Sequence, residues 1–338
     1  LLDRLATEGT ADLIAVFSDQ ADLSAANSMG WDERGEYVYE TLKAVAERSQ
    51  ARARAELDRN GVQYRTFLAG NELFIYQGNL QVVSALAELH NVTRVRASRT
   101  YELEPIVEEE PSHAAPSNGL AWGIADAKAD QFWEHFGVQG DGIVVASIDT
   151  GVQWDHPALD QAYRSPADPG SPACWEDPSD VCDGSTPCDN NGHGTHTVGT
   201  MVADDDPGLA WQAGMAPNAQ WIACKGCEDT ECSDAALNAC ADWVLAPDGD
   251  PAKRPHIVNN SWGSDGCDVW YRSKVEAWQA AGIFPAFSAG NEYTCGTLSA
   301  PGNYQESFSS TGHNSARGHY GSKGPASGGV CHPHTPYT

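Results

Sequence analysis

The chain has 338 residues, 41% of them hydrophobic, with 33 Gly and 19 Pro, which suits two ordinary domains or one large domain and one small one, because single cores stop growing near roughly 250 residues. Its net charge of −27 repels phosphate backbones and anionic lipid surfaces, so the composition argues against nucleic acid and membrane as partners. No apolar run reaches the roughly 20 residues that a bilayer-spanning helix needs.

The N-terminal third reads as alternating strands and helices. The run Leu13-Ile14-Ala15-Val16-Phe17 predicts a strand, the Ala/Arg/Glu-rich stretch from Glu36 to Arg59 a long helix, and Tyr64 to Gln77 a hairpin broken near Gly70-Asn71. Val82 to Leu89 predicts a second helix and Thr93 to Leu103 a last strand. The order β-α-β-β-α-β predicts a small α+β, ferredoxin-like domain over residues 1–104: a four-stranded sheet with two helices on one face. Residues 105–118 hold Pro105, Pro111, Pro116 and Glu108-Glu109-Glu110, a mixture that supports no core and reads as a linker.

From Trp122 onward the composition shifts to Trp, Gly, Cys and Asp. Ile143 to Ile148 is a continuous β-branched run of the parallel-sheet kind, followed by Trp221-Ile222-Ala223, His256 to Asn259 and Ile283 to Phe287. Helical stretches separate them at His193–Ala203, Asp234–Leu245 and Val269–Ala281, so residues 119–338 are predicted to form an α/β domain around a parallel sheet. All ten cysteines lie after residue 173. An even number in loop-rich sequence predicts disulfides and secretion, and the cysteine-free front suits a segment discarded later. Leu1 to Thr10 has neither the basic start nor the apolar stretch of a signal peptide; the expectation is that one was removed or lies outside these residues.

In open α/β sheets functional groups collect beyond the carboxyl ends of the strands, and three segments meet that condition. Asp149-Thr150-Gly151 puts a carboxylate at the end of the most apolar strand; Gly192-His193-Gly194-Thr195-His196 opens a helix with an imidazole between glycines; Ser288-Ala289-Gly290-Asn291 ends another strand with a carboxamide donor fit for an oxyanion hole. Together with Asn259-Asn260-Ser261-Trp262-Gly263, these segments resemble, in order and spacing, the Asp, His and oxyanion-Asn boxes of the subtilisin-like serine proteases. The wording from Val152 to Leu159 and from Ala281 to Ser288 is most similar to the bacillopeptidase F-like branch of that family, and residues 1–104 resemble its propeptide.

The resemblance implies a three-layer, subtilisin-like catalytic domain and a secreted endopeptidase zymogen that needs no catalytic cofactor. It implies that Asp149 orients His193, that His193 is the general base, and that Asn291 donates to the oxyanion. Peptide substrate would lie along Lys225-Gly226-Cys227 and Ser261-Trp262-Gly263, with Ala289 and Gly290 beside it, and the propeptide would fill the cleft until cleavage in the linker. The family's nucleophile sits in a Gly-Thr-Ser-Met-Ala box, which these residues do not contain. Ser327, in Ala326-Ser327-Gly328-Gly329, lacks that context, so the expectation is that the serine follows Thr338 and that these residues alone are inactive.

Blander readings stand beside these. His196, one turn after His193, allows a metal pair and hence a metal-dependent hydrolase, although packing suits it better. A chain without the serine could be a peptide-binding or inhibitory relative. Cys224 and Cys227 have zinc spacing but lack a matching second pair, which favours disulfides. Trp262 can shape a substrate pocket or sit in the core. The acidic stretches Asp177 to Asp189 and Asp204-Asp205-Asp206 leave structural calcium possible, yet Ala158 stands where many family members carry a calcium-ligating Asp after His-Pro.

Overall fold

The computed structural model describes residues 1–103, 119–183, 186–204, 212–291, 297–313 and 319–320. The linker at 105–118, Asp205, Asp206, Cys295, Ser327 and Cys331 lie outside them. In chain order the main elements are α1 (Leu2–Glu8), β1 (Thr10–Phe17), α2 (Trp31–Arg59), β2 (Tyr64–Phe67), β3 (Glu72–Asn79), α3 (Leu80–Ala87), β4 (Val92–Ala97) and β5 (Thr100–Glu102). Then come α4 (Trp122–Ala127), α5 (Ala129–Phe136), β6 (Val144–Asp149), β7 (Trp175–Glu176), α6 (His193–Val202), β8 (Gln220–Lys225), β9 (Glu231–Ser233) and α7 (Asp234–Leu245). β10 (Ile257–Asn260), α8 (Arg272–Ala280), β11 (Phe284–Ser288) and β12 (Phe308–Ser310) complete the order.

Two compact units emerge, and no single cut along the chain separates them. The first gathers Leu1–Thr100 with Ser233–Arg254 and Ser273–Gly282; the second gathers Tyr101–Cys232, Pro255–Arg272 and Ile283–Thr338.

In the first unit β1 to β4 form one antiparallel sheet in the order β2-β3-β1-β4, the order of a split βαβ fold. The uninterrupted apolar wording of β1 has a physical cause: both of its faces are covered. Leu13, Ala15 and Phe17 pack with Leu73, Ile75, Ala53, Leu57, Val82 and Leu86, while Ile14 packs with Phe67, Phe74 and Ala239 of α7. Asn79 starts α3 earlier than its apolar periodicity suggests, because its side chain accepts from Val82 N at 3.0 Å.

The strand expected over Thr93 to Leu103 divides. Ser98 N donates to Asp12 O at 2.8 Å, and at Arg99 the chain turns onto the first residue of α7, with Arg99 N on Asp234 Oδ2 at 2.8 Å and Asp234 N on Arg99 O at 3.0 Å. Beyond this turn, β5 pairs with β9 instead of with the four-stranded sheet. Charge ties the sheet to α7 and α8: Glu72 meets Lys274 at 2.8 Å, Arg96 pairs with Asp234, and Asp242 accepts from Leu68 N at 2.7 Å and Ala69 N at 2.8 Å.

The second unit is built on six strands in the order β12-β11-β10-β6-β8-β7. Every neighbouring pair is parallel, so all carboxyl ends share one edge. β6 lies inside the sheet and is buried at each of its positions, which is why Val144 to Ile148 shows no polar alternation. The chain passes from β6 to β8 on one side and later to β10 on the other, which opens a crevice at the end of β6, where Asp149 stands. α4 and α5, six and eight residues long, fall below the length at which helical periodicity declares itself in sequence.

Candidate active site

Asp149 ends β6 with 1% exposure, and a buried carboxylate is stable only when its oxygens are engaged. Oδ1 accepts from Thr150 N at 2.7 Å and from the Nδ1 of His193, also at 2.7 Å. Oδ2 accepts from Thr197 Oγ1 at 3.4 Å. Since a carboxylate can only accept, the proton between the pair belongs to Nδ1, and the neutral ring keeps its lone pair on Nε2. Burial of the imidazole opposes its charging, but the hydrogen bond and charge of Asp149, with Asp189 behind, outweigh it and raise the His193 pKa above the ordinary 6.5.

Two glycines make this approach possible. A Cβ on Gly194 would lie 2.0 Å from the Gly151 carbonyl oxygen and 3.2 Å from Asp149 Cβ, and one on Gly151, whose φ is +99°, would lie 1.9 Å from the Cys188 carbonyl oxygen. Gly194 therefore lets the first turn of α6 close onto the end of β6.

His193 is further held by a residue that the motifs did not single out. Asp189 accepts from the backbone N–H groups of Asn191, Gly192 and Thr195 and from the hydroxyls of Thr150 and Thr195. A signal existed in the bare sequence: an acidic residue four positions before the histidine, in a segment opening a helix.

The remaining expected site residues fall at the same sheet edge in different environments. Lys225, at the end of β8, is fully buried; its ammonium donates to Thr150 O and, at 2.5 Å, to Asn190 Oδ1. Burial lowers its pKa against the opposing charges of Asp189, Asp177, Glu228 and Asp229. Gly226 N bonds Cys224 O at 3.0 Å, and Cys227 N bonds Asp149 O at 3.1 Å. Ser261 accepts from Asn259 Nδ2 at 3.0 Å. Trp262 takes its core alternative, buried with its ring edge-on to Tyr271 at 5.0 Å and Phe287 at 5.7 Å. A Cβ on Gly263 would press on Ala300 O at 3.0 Å. Ala289 is buried between Ser310 O and Ser299 N, Gly290 turns the chain at φ +90°, and Asn291 is exposed just beyond β11.

Cys182 is bonded to Cys188 and Cys227 to Cys232, and Cys224, Cys240 and Cys267 are also in disulfides; the zinc-like spacing of Cys224 and Cys227 is thus used for disulfides. Among the described residues no group of three or more His, Cys, Asp or Glu side chains is arranged to hold a metal ion. His196 is exposed and its backbone N–H bonds Gly192 O at 3.0 Å. Ala158 is buried, its carbonyl accepting from Asp204 N at 3.1 Å.

A parallel α/β sheet with this carboxylate–imidazole pair at its carboxyl edge belongs to a defined class. Residues 140–334 match the profile of the subtilase family, Peptidase_S8, and the chain is a member of that family. Among individual proteins it is similar to Bacillopeptidase F of Bacillus subtilis (strain 168), with 35% identity over 297 residues, covering 80% of this chain and 20% of that protein. It is also similar to an alkaline protease of Alkalihalobacillus alcalophilus, with 28% identity over 209 residues, covering 60% of this chain and 48% of that one. The crystal structure of fervidolysin from Fervidobacterium pennivorans, a keratinolytic enzyme related to subtilisin, shares the fold at a TM-score of 0.58 and 16% identity, over 90% of this chain and 44% of that one. The chain thus spans a fifth to a half of the length of the proteins it matches.

Proposed function

We propose that this chain supplies the acid–base half of a secreted serine endopeptidase and the module that keeps it inactive before processing. The observation that carries the reading is the 2.7 Å bond between His193 Nδ1 and buried Asp149. With Nδ1 fixed, Nε2 is the atom that would take the proton from a serine hydroxyl and return it to the leaving amine, and Asp149 would stabilise the imidazolium formed between the two steps. Asn291, past the end of β11, would donate to the oxyanion. Protein or peptide substrate would add as an extended segment near Gly226, Ser261, Gly263, Ala289 and Gly290, held mainly by backbone pairing. No cofactor takes part in these steps.

Residues 1–104 would be the inhibitory propeptide, 105–118 the segment that is cut, and 119–338 the catalytic domain. The interlocking of β1–β4 with α7 and α8 through Glu72–Lys274, Arg96–Asp234 and Asp242 supports a module shaped for its own enzyme. So does the bond from Leu103 N to Thr230 O at 2.7 Å, which leads the chain onward along β9. The disulfides support secretion, and among the described residues no helix is long and apolar enough to cross a membrane.

The test is fluorophosphonate labelling of the full-length gene product. Labelling that is lost in His193→Ala and persists in a chelator supports the serine endopeptidase; loss of hydrolysis in chelator alone would instead point to a metal-dependent hydrolase. Absence of labelling in the full-length product, with peptide binding retained, would point to a non-enzymatic relative. Residues 1–338 by themselves, lacking the Gly-Thr-Ser-Met-Ala box, are expected not to label.

A further inference from the structure

The carboxylate of Asp189 gathers five donors from three places in the chain. Oδ1 accepts from Asn191 N at 3.1 Å, Gly192 N at 2.8 Å and Thr150 Oγ1 at 2.8 Å; Oδ2 accepts from Thr195 N at 2.8 Å and Thr195 Oγ1 at 2.6 Å. The first two bonds are those of an ordinary turn around an aspartate. The others are not: they bind the turn forward to the first turn of α6 and across to the residue after Asp149. Thr150 Oγ1 also accepts from Gly194 N at 2.9 Å, so the backbone on both sides of His193 is tied, directly or through one hydroxyl, to a single carboxylate. Behind it, buried Lys225 grips the neighbouring Thr150 O and Asn190 Oδ1, and the Cys182–Cys188 disulfide ends at the residue before Asp189. Nothing in the proton transfer calls on these groups, yet each limits where the His193 ring can stand.

We infer that Asp189 is a positioning residue for His193: by anchoring residues 191, 192 and 195 and the Thr150 hydroxyl at once, it sets the ring against Asp149 before substrate arrives. The inference rests on the reading of His193 as general base, and it deepens that reading by naming what holds the base in place. Charge alone does not account for the arrangement, because each oxygen is engaged by its own set of donors. Lys225 acts with it from beneath, by holding Thr150 and Asn190 where Asp189 needs them.

The experiment uses Asp189→Asn and Asp189→Glu, with Asp183→Asn in the same acidic stretch as a charge-matched control. Folding is checked by thermal melting. In the full-length gene product, Asp189→Asn should lower kcat at least about 30-fold while KM changes less than about threefold, because the loss is of preorganised geometry and not of ground-state binding. Asp189→Glu should fail to restore kcat, and Asp183→Asn should match the wild type. In the 338-residue chain, nitrogen-15 NMR should show the downfield Nδ1 proton of His193, assigned through its loss in His193→Gln, broadened or gone in Asp189→Asn. If Asp189→Asn does not fold, Thr195→Val, which removes one of the five donors, should weaken the same resonance and lower kcat by a smaller factor. A folded Asp189→Asn with a wild-type Nδ1 signal and wild-type kcat overturns the inference, as does full rescue by Asp189→Glu. The two claims separate cleanly: a full-length wild-type product that never labels with fluorophosphonate sinks the protease reading, while the NMR comparison still decides the positioning one.

Discussion

The two compact units hold their buried charge in opposite ways. In the second, Asp149 and His193 are 44 residues apart in sequence, and the groups around them, Thr150, Asp189, Gly194 and Thr197, come from two short segments. In the first, the Glu72–Lys274 and Arg96–Asp234 pairs join residues 202 and 138 positions apart, and the Asp242 carboxylate reaches Leu68 and Ala69 across 174 and 173. The local arrangement fixes one imidazole ring against one carboxylate. The distant one joins the four-stranded sheet to α7 and α8 within one compact unit, and a buried ion deprived of such a partner is heavily penalised.

The largest effect should come from cutting the local arrangement. Asp149→Asn in the full-length gene product leaves the geometry but favours the wrong tautomer of His193, and kcat should fall by about 10⁴, as for the equivalent change in a serine protease with a Ser-His-Asp triad; active-site titration and steady-state kinetics measure it. A fall of less than tenfold would show that Asp149 does not orient the base.

Cutting one distant pair should act on stability. Lys274→Met leaves Glu72 buried without its partner, costing about 3–5 kcal/mol in chemical denaturation, and adding Glu72→Met should recover most of that loss. A double variant no better than the single one would show that the pair is not the coupled unit.

The third prediction concerns pH. Burial raises the pKa of Asp242 from 3.8 to about 6, against the two backbone N–H groups that favour its charged form. Because the folded-state value lies above the unfolded one, the native state binds this proton more tightly: its contribution is full below pH 3.8 and is lost as pH rises through about 6. The span corresponds to at most about 3 kcal/mol. Asp242→Asn should flatten this part of the stability–pH curve, and an unchanged slope between those limits would contradict it.

The smallest effect is expected at Trp262. Its indole N–H is buried without a hydrogen-bond partner among the described residues, so Trp262→Phe trades lost packing against relief of that group and should change stability by about 1 kcal/mol. Substrate preference should stay the same. A changed preference with unchanged melting would return Trp262 to the substrate pocket.

The contrast between the units also explains how much of the molecule is legible in its sequence. The strands β1, β6, β8, β10 and β11, the helices α2, α6 and α7, and the boxes around Asp149 and His193 are legible, because apolar period and motif spacing are local properties of the chain. Asp189 lies inside the legible region, four positions before His193, but outside the motif boxes, and three of its five donors are backbone N–H groups that any residue could supply. The buried state of Lys225 and the core position of Trp262 depend on groups that pack against them from elsewhere. The break between β4 and β5, and every pair that joins the sheet to α7 and α8, depend on partners well over a hundred residues away, for which spacing carries no signal.

The acid limb of the pH–rate profile is the sharpest probe of the claim that Asp149 and His193 act as one acid–base pair. Asp149 raises the pKa of His193 above 6.5, and the base works only when neutral, so kcat/KM of the full-length gene product should fall on acidification with a midpoint above that value. In residual Asp149→Asn activity the limb should move to lower pH, where burial opposes charging of the ring and only Asp189 still favours it. A wild-type midpoint below 6.5, or a limb unmoved by Asp149→Asn, would contradict the pairing.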